Sequence, residues 1–157
     1  MDDNGSAPSA ARMDTKESAC CGKDSFVRNE ADKERGSRFS LICAFSCAGA
    51  GFAHAVRTQR NMKIHMAVTA LAVVLGFALG IDAASWTAIV LVVAAVFAAE
   101  CFNTAIEAVV DLVSPDYHQL ARHAKDCAAG AVLICALAAV AVALIVFVPR
   151  VLALVAG

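Results

Sequence analysis

The feature that most constrains this chain is a series of three long apolar segments separated by short polar breaks. The segments cover about residues 62–81, 85–113 and 117–148. A helix of about 20 residues, rising 1.5 Å per residue, spans the roughly 30 Å hydrocarbon core of a bilayer. Only 17% of the 157 residues are charged, whereas average soluble domains contain about 25%. The sequence therefore predicts an all-α integral membrane protein with three transmembrane helices.

Two different segments precede the first apolar segment. Residues 1–38 contain 7 of the 13 basic and 8 of the 14 acidic residues and almost no large apolar ones, which predicts a disordered polar tail. Residues 39–157 form the predicted membrane domain. Its first part, about 39–58, is apolar but rich in Gly, Ser and Ala, and it predicts an amphipathic helix on the membrane surface. The alternative is a full crossing, which Gly49 and Gly51 disfavour by about 1 kcal/mol each.

The distribution of basic residues predicts the orientation in the membrane. Short loops rich in Lys and Arg stay on the cytoplasmic side. Such residues precede the first crossing and follow the second: Arg57, Arg60, Lys63, Arg122 and Lys125. The loop at 80–85 contains only Asp82 as a charged residue, and Arg150 alone argues for the opposite orientation. We therefore expect residues 1–38 and the 114–125 loop in the cytoplasm and the C-terminus on the outer side.

The second apolar segment carries polar residues that a simple membrane anchor does not need. Glu100, Asn103, Glu107 and Asp111 recur at intervals of three and four residues. At about 100° per residue, the three carboxylates fall within about 40° of one another on one helix face. Ionisable residues at membrane depth are costly and usually functional. The alternative is that Glu107 and Asp111 only solvate the end of the helix.

A mixed-charge cluster opens the third apolar segment. It comprises His118, Arg122, His123, Lys125 and Asp126. Carboxylates next to cations suggest Mg²⁺ and a phosphate-bearing ligand, because hard oxygens hold Mg²⁺ and lysine neutralises phosphate. The alternative is a patch that binds anionic lipid through Arg122 and Lys125. There is no GxxxxGK[ST] loop, so a nucleotide site would be of an unusual kind, and the net charge of −1 gives no reason to expect nucleic acid.

Four stretches of the sequence resemble a known family. These are Arg60–His65 (RNMKIH), Glu100–Asp111 (ECFNTAIEAVVD), the pair Tyr117–His118, and Ala124–Val132 (AKDCAAGAV). They resemble the signature of the small bacterial membrane kinases, diacylglycerol kinase and undecaprenol kinase. The resemblance covers about residues 40–148, and the long motif in the second apolar segment is specific.

The resemblance implies an architecture and an activity. The protein would be a homotrimer of three-helix subunits, each with an N-terminal surface helix, in the bacterial inner membrane. Active sites would form between subunits at the cytoplasmic face. They would transfer the γ-phosphate of ATP to a lipid hydroxyl with the help of Mg²⁺.

The resemblance also implies roles for individual residues. Glu100 would be the general base on the lipid hydroxyl, and Glu107 would hold Mg²⁺ with the nucleotide phosphates. Gln59 stands where the family commonly has a second metal-binding Glu, so we expect a carbonyl ligand and weaker Mg²⁺ binding. The nucleotide would be lined by Asp116, Tyr117, His118, Lys125 and Asp126. The polar shell would be completed by Asn103 and Asp111.

Several functions compete on the sequence alone. Undecaprenol is the preferred substrate, partly because Ala129 stands where diacylglycerol kinases may carry Ser; the alternative is diacylglycerol, which would give phosphatidic acid. A different class is a small ion- or proton-conducting protein that uses the intramembrane carboxylates as a relay. Conduction needs polar groups along the whole path, but the first and third segments are apolar toward their outer ends. A purely structural subunit leaves the carboxylates unexplained.

Overall fold

The structure, a computed structural model, describes residues 41–156 and is built from α-helices in this range. The helices are α1 (Leu41–Thr58), α2 (Arg60–Ala78), α3 (Ala83–Val113) and α4 (Gln119–Ala156). No strand occurs among the described residues, so the predicted all-α class is confirmed. The predicted polar tail at 1–38 lies outside the described range. Residues 51–156 belong to one compact unit, which contains α2, α3 and α4.

Three of the helices are long and apolar enough to cross a membrane. These are α2, α3 and α4, with mean hydropathies of 1.5, 2.2 and 3.2 over their most apolar 18-residue windows. At 1.5 Å per residue, the 19 residues of α2 span about 28 Å, close to the thickness of a hydrocarbon core. Large apolar side chains on these helices are exposed, including Phe77 and Ile145, both 74% exposed. The chain is a multi-pass membrane protein, and these side chains are suited to contact lipid.

Helix α1 differs from the three spanning helices. Its apolar and polar side chains are segregated on opposite faces more strongly than in α2, α3 or α4. Ala55 is buried near the end of α1, and Phe52 packs edge-to-face on Phe97 of α3, with ring centroids 5.9 Å apart. The amphipathic character agrees with the sequence-based expectation of a surface helix.

The turn between α2 and α3 is fixed by paired caps. Gly80 adopts a left-handed φ of 57°, and Ile81 N–H donates to Gly76 O at 3.1 Å, which is the Schellman arrangement at a helix C-terminus. Asp82 then caps α3, because its Oδ1 accepts from Ser85 N–H at 2.8 Å. Helix α2 therefore ends at Ala78, just before this turn.

Close packing occurs next to this turn. Ile81, Ile89 and Val146 form a buried apolar cluster with Trp86 and Phe147 packed against it. A Cβ atom at Gly76 would lie 2.7 Å from Trp86 Cη2. The absence of a side chain at residue 76 therefore lets the Trp86 ring lie against α2.

Pro149 does not end α4, which extends beyond the predicted crossing of about 117–148. The helix continues to Ala156, with Pro149 inside it. Proline removes one backbone N–H and crowds the preceding turn, so it usually ends or kinks a helix. However, Arg150 donates through Nη1 to Gly80 O at 3.0 Å and pairs through Nη2 with Asp82. These contacts hold the segment after Pro149 against the α2–α3 turn.

Candidate active site

Polar side chains on α3 become less buried along the helix. Glu100 is 1% exposed and Asn103 is 6% exposed. Glu107 is half-buried, and the side chain of Asp111 is 67% exposed. The carboxylates predicted to share one face of this helix thus extend from the protein interior to the surface at its C-terminal end.

Glu107 joins α3 to the beginning of α2. Its Oε2 accepts from Gln59 Nε2 and its Oε1 accepts from Asn103 Nδ2, each at 3.1 Å. Gln59 is the residue immediately before α2. Three of the predicted site residues are therefore in direct contact, and both carboxylate oxygens of Glu107 are held by neutral amide donors.

Two buried oxygen atoms have no hydrogen-bond partner within residues 41–156. They are Glu100 Oε1 and Asn103 Oδ1. His65 Nε2 lies 3.3 Å from Glu100 Oε1, which is within ion-pair distance, but the pair lacks the alignment of a hydrogen bond. Buried polar atoms are normally paired, so such exceptions in a native protein require an explanation. Here both belong to predicted site residues, and each is an acceptor without a donor among the described residues.

A surface depression of about 310 Å³ lies where α3 ends and α4 begins. Arg122 lines it together with six of the predicted site residues: Asp111, Asp116, Tyr117, His118, Lys125 and Asp126. Lys125 Nζ lies 2.5 Å from Asp111 Oδ1, and Arg122 Nε lies 3.5 Å from Asp126 Oδ2. Exposed ion pairs contribute only about 0–1 kcal/mol, so a phosphate could displace these carboxylates from their cations at little cost.

Short polar contacts shape the rim of this depression. Ser114 Oγ donates to Asp116 O at 3.1 Å, and Leu120 N–H donates to His118 Nδ1 at 3.2 Å. Because Nδ1 accepts a hydrogen bond there, a neutral His118 carries its proton on Nε2. Tyr117 is 79% exposed, so its ring is free to lie against a ligand. His123 does not line the depression.

The donor set next to Glu107 suits a hard cation in part. One carboxylate and the amide side chains of Gln59 and Asn103 are oxygen donors of the kind that Mg²⁺ accepts. The part of the chain that the structure describes contains no group of three or more His, Cys, Asp or Glu side chains that could hold a metal. Mg²⁺ commonly binds one or two carboxylates and completes its shell with water and substrate phosphate. The residues therefore fit Mg²⁺ that is shared with a nucleotide.

Sequence reasoning did not assign a role to His65 or to the cavity beside it. This cavity, about 230 Å³, lies between α2, α3 and α4, and its lining is apolar apart from His65 and Thr69. His65 is the one ionisable residue between positions 64 and 81, which is the signal that could have identified it. Its contact with Glu100 depends on the register between two helices, which the sequence does not show.

The chain is a membrane protein with a polar site at its surface. This follows from its three spanning helices, its buried carboxylate and the charged depression at one end of the helices. The family model of prokaryotic diacylglycerol kinase matches residues 46–147, and the chain belongs to this family. It is therefore a lipid kinase, as the resemblance in the sequence implies.

Curated relatives include kinases of two lipids. The chain is 37% identical to the undecaprenol kinase of Bacillus subtilis (strain 168) over 107 residues, 68% of this chain and 87% of that protein. It is 41% identical to a diacylglycerol kinase of Synechocystis sp. over 116 residues, 73% of this chain and 66% of that protein. It is 43% identical to the diacylglycerol kinase of Escherichia coli (strain K12) over 70 residues, 45% of this chain and 57% of that protein.

Proposed function

We propose that this lipid kinase transfers the γ-phosphate of ATP to the hydroxyl of undecaprenol, giving undecaprenyl phosphate and ADP. The observation that carries the proposal is the buried Glu100, whose Oε1 has no hydrogen-bond partner among the described residues. His65 contacts this oxygen and also lines the apolar cavity. An apolar chain in this cavity would bring its terminal hydroxyl close to the carboxylate.

Glu100 is the general base of the proposed reaction. Its carboxylate takes the proton as the O–H bond of the lipid breaks and the lipid oxygen bonds to the γ-phosphorus. The bond between this phosphorus and the β–γ bridging oxygen breaks, and ADP leaves. Phosphoryl transfer depends mainly on positioning and on neutralising charge, and a general base contributes about 10²- to 10⁴-fold.

The depression at the α3–α4 junction is the proposed nucleotide site. Lys125 neutralises phosphate charge, and Asp116, Tyr117, His118 and Asp126 line the rest of the nucleotide. Bound Mg²⁺ would neutralise and orient the phosphates. The residues that would hold it and complete the polar shell around it are Glu107, Gln59, Asn103 and Asp111.

The identity of the lipid is tested by a substrate panel. The undecaprenol kinase of Bacillus subtilis is matched over 87% of its length, more than either diacylglycerol kinase, which supports undecaprenol. The higher identities of the diacylglycerol kinases support diacylglycerol as the second candidate. Purified protein is incubated with [γ-³²P]ATP and undecaprenol, diacylglycerol or ceramide. We expect label in undecaprenol; label in diacylglycerol alone would show that the substrate is diacylglycerol.

The assembly and orientation belong to the same proposal. We expect a homotrimer in the bacterial inner membrane with residues 1–38 and the 114–125 loop in the cytoplasm. Arg150, the one basic residue that argues for the opposite orientation, pairs with Asp82 and Gly80 O. Native mass spectrometry in detergent measures the number of subunits. Labelling of single cysteines placed at residue 63 or residue 82 in intact cells tests the orientation.

The ion-conducting alternative requires a continuous path of polar groups, and the structure gives it little support. The cavity that adjoins His65 has an almost entirely apolar lining, whereas conduction needs polar groups throughout. Proton flux into liposomes in the absence of ATP would favour that alternative.

A further inference from the structure

His65 lies on the face of α2 that packs against α3. Met62, which is completely buried, precedes it by three residues, and Thr69 follows it by four. Residues at these spacings share one helix face. The hydrogen bond from Gln59 to Glu107 also ties the beginning of α2 to α3. Packing thus fixes the position of the His65 backbone relative to α3.

The His65 imidazole links the apolar cavity to the carboxylate of Glu100. Its side chain is 22% exposed and lines the cavity, and its Nε2 lies 3.3 Å from Oε1 of Glu100. This contact is attractive only when Nε2 carries a proton, because the lone pair of a bare nitrogen repels a carboxylate oxygen. Catalytic hydrogen bonds are often long and poorly aligned without substrate and tighten when it binds.

We infer that His65 is a positioning residue for phosphoryl transfer, whose Nε2–H holds Glu100 Oε1 beside the apolar cavity where the lipid hydroxyl arrives. The inference rests on the proposed function, in which Glu100 takes the proton. Glu100 Oε1 has no hydrogen-bond partner within the described part of the chain, and the imidazole 3.3 Å away is the side chain that can orient it. Misplacement of a reacting group by about 1 Å can lower the rate about 100-fold.

Three substitutions separate this role from simple packing. In His65→Gln, the side-chain N–H₂ reaches about as far as Nε2, whereas in His65→Asn it stops near the position of Nδ1. His65→Leu removes every donor. His54→Gln is the matched control, because His54 is exposed on α1. For each purified variant, kcat and the KM values for ATP and lipid are measured per folded protein.

The expected pattern concerns turnover rather than substrate binding. His65→Leu and His65→Asn lower kcat about 10- to 100-fold and leave the KM for ATP within about twofold. His65→Gln and His54→Gln keep kcat within about threefold of the parent. Equal kcat values for the Gln and Asn variants would overturn the inference, and this comparison remains decisive if the Leu variant does not fold.

A double variant tests whether His65 acts through Glu100. If it does, His65→Leu lowers the residual rate of Glu100→Gln by less than about twofold, because the group that it positions is already absent. A further loss as large as in the parent would overturn the inference. If Glu100→Gln is inactive while His65→Leu is fully active, the role of His65 is overturned and the role of Glu100 stands. Full activity of Glu100→Gln would overturn the proposed role of the base and the inference with it.

Discussion

Gln59 donates a hydrogen bond of 3.1 Å from Nε2 to Oε2 of Glu107, although 48 residues separate them in the chain. The resemblance in sequence implies a second metal-binding Glu at position 59, and the neutral amide of Gln59 would take its place beside Glu107. A neutral ligand adds less to Mg²⁺ affinity than a charged one does. The metal dependence of the enzyme is therefore expected to change with the residue at position 59.

Gln59→Glu is expected to lower the Mg²⁺ concentration that gives half-maximal kinase activity, by about tenfold, because it adds a second charged oxygen ligand. Without Mg²⁺, the same variant should be less stable than the parent, since two like charges then lie side by side. Activity is measured over a series of Mg²⁺ concentrations and thermal unfolding is measured in EDTA. An unchanged Mg²⁺ requirement would show that Gln59 has no part in metal binding.

Lys125→Met tests the depression at the α3–α4 junction as the nucleotide site. A charge-assisted hydrogen bond is worth about 1.5–3 kcal/mol, so its loss should raise the KM for ATP by about 10- to 100-fold. Stability should change by less than about 1 kcal/mol, because the ion pair with Asp111 is exposed. Lys63→Met, at an exposed position of α2, is the matched control and should leave the KM unchanged. Equal KM values for both variants would place the nucleotide elsewhere.

Asp82 gives the α2–α3 turn a pH dependence. The Ser85 backbone N–H, which donates to this carboxylate, lowers the pKa of Asp82 below its ordinary value, and Arg150 acts in the same direction. A lowered pKa stabilises the fold at pH values above the ordinary pKa, and the contribution disappears as the pH falls through the lowered one. Asp82→Asn keeps a capping oxygen but loses the charge, whereas Asp82→Ala loses both.

Thermal unfolding in detergent should therefore give the highest Tm for the parent, a lower one for Asp82→Asn and the lowest for Asp82→Ala at neutral pH. The difference between the parent and Asp82→Asn should shrink as the pH falls below about 4 and vanish once the pH is below the lowered pKa. A difference that persists in acid would show that the charge of Asp82 is not its cause.

Gly76→Ala tests the close packing between α2 and Trp86. The added methyl group would lie 2.7 Å from Trp86 Cη2, so the ring must move, and such overpacking typically costs about 1–3 kcal/mol. Trp86→Phe removes the clashing atoms, so the double variant should recover part of the Tm. Gly49→Ala has no atom within 4 Å of the new methyl and should not lower the Tm. If Gly76→Ala were as stable as the parent, α2 would not lie against the ring.

The spans and the polar face of α3 could be predicted from sequence because they are local properties. Hydropathy over about 20 residues defines a span, and helical periodicity places Glu100, Glu107 and Asp111 on one face. The family resemblance then identified residues that the structure gathers in one depression. Contacts between helices could not be predicted in this way, because they depend on interhelical register.

The continuation of α4 past Pro149 illustrates the same limit. Pro149 is a local signal against helix, but the contacts of Arg150 with the α2–α3 turn are tertiary and offset it. His65 was overlooked for a related reason, since its importance lies in its 3.3 Å distance from Glu100 on another helix.

The measurement that tests the account most directly is the rate of lipid phosphorylation by Glu100→Gln. The variant should lower kcat by about 10²- to 10⁴-fold at saturating ATP and lipid, while the protein remains folded and still binds ATP. Thr104→Val is the matched control, because Thr104 hydrogen-bonds only the backbone oxygen of Glu100, at 2.9 Å, and its kcat should equal that of the parent. A folded Glu100→Gln protein that phosphorylates lipid at the parental rate would contradict the assignment of Glu100 as the base.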